Sequence, residues 1–258
     1  MGEEEVTAVF WLVLGLAVVV GLFVGLLGGG GSILTVPLLA YVAGLPPEQA
    51  IAGSLFVVAV TSAVALVPHA RRGAVQWRVG AVLGATSMVG ALLGGLLGAQ
   101  LPGALLMVLF AVMMLASAIG MIRGRRPVDP SAPPTPLWKS LLQGLAIGVA
   151  VGTVGAGGGF MVVPALVLLA RLPMGQAVAT SVMVIALNSV AGLAGHLTGT
   201  SLDWGWVLPV TGAAVVGALA GAPLTHRVPQ AALKKGFGWF VLAMGAFVLV
   251  QEGLALLG

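Results

Sequence analysis

The chain has 258 residues, of which 59% are hydrophobic and only 7% are charged, and its mean hydropathy is +1.14. A soluble domain carries about 25% charged residues, so this composition excludes an ordinary soluble protein and predicts a polytopic membrane protein. The net charge of +4 comes from basic residues that stand singly or in small groups between apolar segments, so we expect no nucleic-acid partner.

Apolar segments of helical length follow one another along the chain, and the loops between them are short. The longer segments are sufficient, as helices, to cross a hydrocarbon core of roughly 30 Å. The segments cover residues 6–27, 32–45, 50–67, 78–99 and 103–122, and then residues 140–154, 160–170, 174–194, 204–225 and 236–257. We predict an N-terminal transmembrane repeat at 1–122, a basic and proline-rich cytoplasmic linker at 123–138 and a C-terminal transmembrane repeat at 139–258.

The N-terminal residues and the absence of cysteine give two further predictions. Glu3, Glu4 and Glu5 precede the first apolar segment, so the basic region of a secretory signal peptide is missing and the segment is predicted to be retained. The absence of cysteine excludes disulfides, thiol nucleophiles and thiolate metal sites. We expect neither a metal nor a cofactor.

The two halves of the sequence match when one is shifted by 127 residues (152 − 25). The run GLLGGGGSILTVP from Gly25 returns as GTVGAGGGFMVVP from Gly152. Without any gap the same shift pairs Pro46 with Pro173, Gln49 with Gln176, Ser54 with Ser181, Ser62 with Ser189, His69 with His196, Trp77 with Trp204, and Pro102 with Pro229. Shared apolar composition does not place such rare residues in register, so we infer a duplication.

The basic residues predict how the halves are oriented. If the linker is cytoplasmic and each segment crosses, all 11 Lys and Arg fall on the cytoplasmic side, with Asp129 as the one acid beside them. Both termini then lie outside and the halves are inverted, an arrangement typical of secondary transporters. One crossing fewer per half would make the repeats parallel and would place Arg227, Lys234 and Lys235 outside.

The two glycine-rich runs are predicted to break helices at a binding site. Segments 32–45 and 160–170 are short for full crossings, so each run is either part of a crossing or the tip of a re-entrant hairpin. Non-helical backbone at membrane depth is tolerated where it lines a cavity, and a helix that starts at such a break points N–H groups at one place, which favours an anion. Scattered glycines such as Gly94 and Gly95 are expected to serve close helix packing instead.

Neutral polar side chains complete the predicted site. Ser54 and Ser181 are predicted to begin apolar helices, and Asn188 is the strongest candidate ligand because a buried amide needs partners. The alternative is that each serine or threonine bonds back to its own helix. The predicted substrate-binding residues are Gly28, Gly29, Gly30, Gly31, Ser32, Ser54, Ser62, Gly155, Gly157, Gly158, Gly159, Ser181, Asn188 and Ser189. Further polar residues at similar depth are Thr35, Thr61, Thr153 and Thr180.

Charged groups play little part in this prediction. Lys, Arg, Asp and Glu are not expected at the membrane midplane, which disfavours a carboxylate proton relay or a cation site. His69 and His196 are expected to be interfacial residues without a special task, with a gating role left open. The chain has no Walker A pattern, so ATP-driven transport is not expected.

The chain resembles the sulfite exporter TauE/SafE family of bacterial membrane permeases. The resemblance rests on GLLGGGGSILTVPLL and GTVGAGGGFMVVPAL, each followed by a Pro-x-x-Gln-Ala segment (PPEQA, PMGQA) and by a helix with Ser54 or Ser181. It covers essentially the whole chain. It implies a secondary transporter, not an enzyme, that exports small sulfur-containing oxyanions such as sulfite or organosulfonates across the cytoplasmic membrane.

Several alternatives remain beside this expectation. They are a channel-like or importing anion permease, an intramembrane enzyme that uses Ser and His, and a purely structural membrane scaffold. The expected partners are a small anionic substrate and the lipid bilayer, and association into a homo-oligomer is left open.

Overall fold

A computed structural model describes residues 3–27, 30–123, 137–155, 158–168, 170, 172–221 and 230–257, and all regular structure in these residues is helical. The predicted linker residues 124–136, including Asp129, lie outside them, as do Arg227 and Pro229. The α-helices are α1 (Glu3–Leu27), α2 (Thr35–Pro37), α3 (Pro47–Arg71), α4 (Trp77–Gly98), α5 (Gly103–Arg123), α6 (Leu137–Val154), α7 (Gly159–Leu168), α8 (Met174–His196), α9 (Trp204–Gly221) and α10 (Gln230–Leu257).

Within the described residues, seven helices are long and apolar enough to cross a membrane. They correspond to α1, α3, α4, α5, α8, α9 and α10, so the prediction of an all-α polytopic membrane protein is confirmed. Large apolar side chains face outward along these helices, among them Trp11 in α1 and Trp239 in α10. Such surfaces are suited to lipid, because the outside of a membrane helix meets hydrocarbon instead of water.

The helices α3 and α8 begin in the same way. Pro46 and Pro173, the residues before them, have identical backbone angles of φ −53° and ψ 145°. An extended proline before the first turn starts a helix without losing a hydrogen bond, because the first N–H groups have no helical partner. Ser54 and Ser181 therefore lie seven residues inside their helices (54 − 47 and 181 − 174), and the prediction that they begin them was wrong.

The packing contacts come in pairs related by the 127-residue shift. Helix α1 packs on α9, and its counterpart α6 packs on α4; α3 packs on its counterpart α8, and α5 on its counterpart α10. The first helix of each half therefore contacts the other half, and the halves interlock. This pattern is what a two-fold arrangement produces, while the inverted orientation across the membrane stays a prediction.

Glycines allow the helices to approach closely in both halves. A Cβ atom built on Gly94 would collide with the carbonyl oxygen of Val149 in α6, and one on Gly95 with that of Gly192 in α8. In the other half, a Cβ on Gly217 of α9 would collide with the carbonyl oxygen of Val18 in α1. Gly94 and Gly95 thus serve close packing, as expected of small residues in membrane helices.

Candidate functional site

The second glycine-rich run forms a break between α6 and α7. Gly155, directly after α6, has φ +71°, and its N–H group donates to the carbonyl oxygen of Val151 at 3.0 Å. Gly158, directly before α7, has φ +73°, and its carbonyl accepts from the N–H groups of Met161 and Val162 at 2.9 Å. Because side chains disfavour this left-handed backbone, glycine is required at both ends of the break.

Helix α3 of the first half holds this break in place. The hydroxyl of Ser54 lies 2.7 Å from the carbonyl oxygen of Gly155 and 2.9 Å from that of Ile51. A Cβ on Gly155 would lie 2.6 Å from Cγ2 of Ile51, so the backbone of the break rests directly on α3. The hydrogen bond of Ser54 therefore joins the two halves at the predicted site.

The first glycine-rich run leads into a different short structure. Gly30, Gly31 and Ser32 lie in a 3-10 helix, Gly30–Leu34, which continues through the single turn of α2 into a π-helical turn, Leu38–Val42. The predicted site residues Gly28, Gly29 and Gly157 lie outside the described residues.

The short helices that follow the two runs touch each other. The 3-10 helix Gly30–Leu34 contacts α7. Helix α7 has 10 residues and rises about 15 Å, roughly half of a hydrocarbon core. The two predicted breaks are therefore close together in space, while their depth in the bilayer stays a prediction.

Buried polar atoms without a partner are concentrated among the predicted site residues. Within the described part of the chain, no hydrogen-bond partner is found for Oγ1 of Thr35, Oγ of Ser62, Nδ2 of Asn188 or Oγ of Ser189. The side chains of Ser62, Asn188 and Ser189 are all 0% exposed. Leaving such an atom unsatisfied costs about 1–3 kcal/mol, and native proteins rarely tolerate it without a reason. These four atoms are therefore candidates for contact with a ligand.

The other predicted polar residues use their hydroxyls within the protein. Thr61 donates to the carbonyl oxygen of Val57 at 2.7 Å, Thr153 to that of Val149 at 2.8 Å, and Ser181 to that of Val178 at 2.8 Å. These are bonds to the residue's own helix, the alternative anticipated for serine and threonine in apolar helices. Ser32 and Ser181 are also buried, beside the first run and in α8.

Ser87 of α4 was missed by the sequence analysis. Its hydroxyl donates to Oδ1 of Asn188 at 2.8 Å, and the side chain is 1% exposed. The repeat gave no signal for it, because the residue 127 positions later is Ala214. The sequence feature that could have identified Ser87 is its position as a single serine between Gly84 and Gly90 on an apolar helix.

Polar contacts continue along the whole interface between α4 and α8. At one end Nε2 of Gln76 donates to Oε1 of Gln176 at 3.2 Å, and the N–H group of Gln76 donates to Oγ1 of Thr180 at 3.0 Å. Ser87 and Asn188 follow, and at the other end the ring of His196 lies against Gly98. The contact positions 76, directly before α4, and 87 and 98, within it, are 11 residues apart, about three turns, so they lie on one side of the helix.

His196 contacts the residue with which the second glycine-rich run begins. Its Nε2 atom lies 2.9 Å from the carbonyl oxygen of Gly152, in the last turn of α6, and the side chain is 1% exposed. The last carbonyls of a helix lack helical partners, so this contact satisfies one of them. His196 was expected at the membrane interface, but its side chain is buried against α6. His69, its counterpart, is also buried.

The interior of the described structure carries no buried Asp, Glu, Lys or Arg side chain. Glu252 of α10 is half-buried, as are Glu48 and Asp203, and it accepts a hydrogen bond from the hydroxyl of Tyr41 at 2.9 Å. This pair, which the sequence analysis did not consider, joins the π-helical turn Leu38–Val42 to α10. The polar groups that lack partners are all neutral.

Comparison with known proteins points to one family. The family model described as sulfite exporter TauE/SafE matches residues 13–248. A protein of Xylella fastidiosa (strain 9a5c) is 30% identical over 244 residues, covering 92% of this chain and 94% of that one. A protein of Methanocaldococcus jannaschii is 33% identical over 199 residues, covering 73% and 74%, and one of Bacillus subtilis is 28% identical over 220 residues, covering 83% and 89%. All three are named probable membrane transporter proteins. No solved structure matches the chain.

Proposed function

The chain belongs to the sulfite exporter TauE/SafE family, and from this premise we propose that it exports small sulfur-containing oxyanions, such as sulfite or organosulfonates, across the cytoplasmic membrane. The family and the seven apolar helices make it a multi-pass membrane transporter. Our proposal concerns the substrate, the direction of transport and the substrate-binding site.

One observation carries the proposal: buried donors without partners in a neutral interior. The hydroxyls of Ser62 and Ser189 and the amide N–H group of Asn188 have no hydrogen-bond partner among the described residues, and no charged side chain is buried with them. An oxyanion accepts hydrogen bonds through every oxygen, so such donors replace part of its hydration shell. Without a buried cation the anion is bound weakly enough to leave again.

The glycine-rich breaks contribute backbone donors to the same proposal. Helix α7 starts at Gly159, directly after the break, and the N-terminal end of a helix carries a partial positive charge. Broken helices that bind substrate at the interface of two repeats are common in secondary transporters. The proposed site therefore includes both glycine-rich runs together with the side chains of α3 and α8.

Transport requires movement from the conformation described. The side chains of Ser54, Ser62, Asn188 and Ser189 are all fully buried, so a solute does not reach them until helices separate. Helices α4 and α6, and helices α9 and α1, meet backbone to backbone at glycines such as Gly94 and Gly217. We therefore expect the helices to slide or rock at these contacts as the site opens to one side and then to the other.

The membrane potential favours outward movement of an anion. A membrane that is 100 mV negative inside drives each negative charge outward by about 2.3 kcal/mol. A dianion gains roughly twice that. Export therefore needs no coupled ion, and the absence of a buried carboxylate among the described residues agrees with this.

Counterflow in proteoliposomes tests the proposal. Purified protein is reconstituted, the vesicles are loaded with unlabelled sulfite, sulfoacetate or thiosulfate, and uptake of the labelled anion is followed. Saturable exchange of sulfite or sulfoacetate supports the proposal. Non-saturable flux would indicate a channel, flux driven only inward an importer, and no flux of any anion a scaffold. Chemical conversion of the solute by the protein in detergent would indicate an enzyme.

A further inference from the structure

We propose that Ser87 is a positioning residue that fixes the amide of Asn188 so that its N–H group, and not its oxygen, is offered to the transported anion. The inference rests on the proposed function, because it assigns a role within the same site. Ser87 itself is not proposed to touch the anion.

The hydrogen bonds of Ser87 define which way the amide points. Its hydroxyl lies 2.8 Å from Oδ1 of Asn188 and 3.3 Å from the carbonyl oxygen of Gly84. With the proton directed to Asn188, the short bond is made and Nδ2 is left without a partner among the described residues. The reversed amide would instead donate its N–H group to the serine oxygen over the same 2.8 Å, which is shorter than the 2.9–3.0 Å typical of N–H···O bonds but matches the 2.7–2.8 Å typical of O–H···O bonds. The short bond therefore favours the orientation in which Nδ2 is free.

The orientation of the amide decides the sign of the group that a ligand meets. A free Nδ2 presents two N–H donors, whereas a free Oδ1 presents only an acceptor. An anion is attracted by the first and repelled by the second. A donor held in advance also avoids the cost of ordering it at the moment of binding.

The backbone of α4 is held firmly at this position. The carbonyl group of Ser87 packs against Gly148 of α6, where a Cβ would collide with it. On the other side Gly84 faces Leu187 of α8, and a Cβ there would lie 3.0 Å from Cδ1 of the leucine. In the conformation described, helix α4 packs closely between α6 and α8, and this packing places the hydroxyl of Ser87 against Asn188.

The corresponding place in the other interface lacks this arrangement. The counterparts of Ser87 and Asn188 are Ala214 and Thr61 (87 + 127 and 188 − 127). Alanine donates no hydrogen bond, and the hydroxyl of Thr61 is bonded to the carbonyl oxygen of Val57 in its own helix. An oriented amide donor is therefore present in one of the two related interfaces.

The test compares Ser87→Ala with Thr86→Ala, a matched control on the same helix. The hydroxyl of Thr86 bonds only to the carbonyls of Val82 and Leu83 in α4. Half-saturation and maximal rate of sulfite counterflow are measured for both. Loss of one oriented hydrogen bond is expected to raise the half-saturation concentration about threefold to tenfold in Ser87→Ala, with little change in Thr86→Ala. Ser87→Thr, which keeps the hydroxyl, is expected to restore the wild-type value.

A second comparison separates positioning from mere stability. In an Asn188→Leu background the amide is absent, so Ser87→Ala is expected to cause no further change in flux. An equal loss in both backgrounds would overturn the inference, as would Ser87→Ala and Thr86→Ala variants that both match the wild type. If Ser87→Ala does not fold, Ser87→Cys replaces it, because cysteine keeps the volume but is a weak donor. The same rise in half-saturation concentration is then expected. A wild-type protein that exchanges no oxyanion overturns the proposed function itself, whereas exchange that is insensitive to Ser87 overturns only this inference.

Discussion

The interface of α4 with α8 and the interface of α9 with α3 occupy corresponding places in the two halves, yet they differ in chemistry. The first carries Gln76 with Gln176 at one end and Ser87 with Asn188 further along. In the second, the place of the Ser87–Asn188 pair is taken by Ala214 and Thr61, and Thr61 bonds to its own helix.

The packing, by contrast, is repeated. Gly94 of α4 meets α6 in the same way as its counterpart Gly221 of α9 meets α1, and in both cases a Cβ would collide with backbone. The close helix crossings are therefore alike at positions related by the 127-residue shift, whereas the polar groups differ. On our proposal, this difference means that the anion is bound by an oriented amide donor from one of the two interfaces.

The largest expected difference between the two halves is the side of the membrane on which their corresponding loops lie. Ala74 follows α3 and Ser201 follows α8, and the two positions are related by the shift (74 + 127). Inverted repeats place these loops on opposite sides of the membrane, whereas parallel repeats place them on the same side. Because the natural chain lacks cysteine, Ala74→Cys and Ser201→Cys each introduce a single thiol.

We expect a membrane-impermeant maleimide to label Ser201→Cys in intact cells and to label Ala74→Cys only after permeabilisation. This outcome follows from the placement of the basic residues in the cytoplasm. Labelling of both thiols in intact cells, or of neither, would contradict the inverted arrangement.

Substitution of Gly155 is expected to have the largest effect on stability. Gly155→Ala introduces left-handed strain of roughly 1–2 kcal/mol and an overpacking cost against Ile51 of about 1–3 kcal/mol. Gly44→Ala is the matched control, since Gly44 has φ +72° but no atom within 4 Å of the added Cβ. Thermal unfolding in detergent should rank Gly155→Ala well below Gly44→Ala, and Gly44→Ala slightly below the wild type. Equal stability of the two variants would show that the break does not rest on α3.

Loss of the His196 contact is expected to cost somewhat less. His196→Leu leaves the buried carbonyl of Gly152 without its partner, at about 1–3 kcal/mol, whereas His196→Gln keeps an N–H donor and should lose less. The repeat predicts the same kind of contact between His69 and Gly25 (196 − 127 and 152 − 127), so His69→Leu should lower the unfolding temperature by a similar amount. A large loss in one variant alone would show that the halves differ here too.

The pair of Tyr41 and Glu252 should show the smallest change in stability. The counterpart of Tyr41 is Leu168 (41 + 127), so the hydrogen bond to α10 is specific to the first half. Tyr41→Phe keeps the ring but removes the bond, at about 0.5–1.5 kcal/mol. If a Tyr41→Phe, Glu252→Gln double variant is no less stable than Tyr41→Phe, the bond is the whole connection; a further loss would show that Glu252 has a second role.

The sequence was sufficient to locate most helices, because length, apolar composition and the glycine and proline boundaries are local properties. The segment predicted at 103–122 is observed as α5 (Gly103–Arg123), and that at 160–170 as α7 (Gly159–Leu168). The break before α7 was predicted for the same reason, since glycine runs interrupt helices whatever surrounds them.

The site was only partly accessible from the sequence, because its contacts join residues about 100 positions apart. Asn188 was identified from its chemistry alone, but its partner Ser87 depends on which helix packs beside α8, and α4 belongs to the other half. His196 was underestimated for the same reason, since its contact with Gly152 is visible only once α6 and α8 are placed together. The 127-residue shift identified residues that match between the halves, but it gave no information about residues at which the halves differ.

The proposed contact between the anion and Asn188 is tested by sulfite counterflow of Asn188→Leu and Thr61→Val, side by side with the wild type in proteoliposomes. Each substitution removes the polar group from one of the two related positions and leaves a similar volume. A hydrogen bond to a charged ligand is worth about 1.5–3 kcal/mol, so Asn188→Leu is expected to lose exchange by about 10-fold to 100-fold, while Thr61→Val stays within about twofold of the wild type. Equal losses in the two variants, or wild-type exchange by Asn188→Leu, would contradict the account.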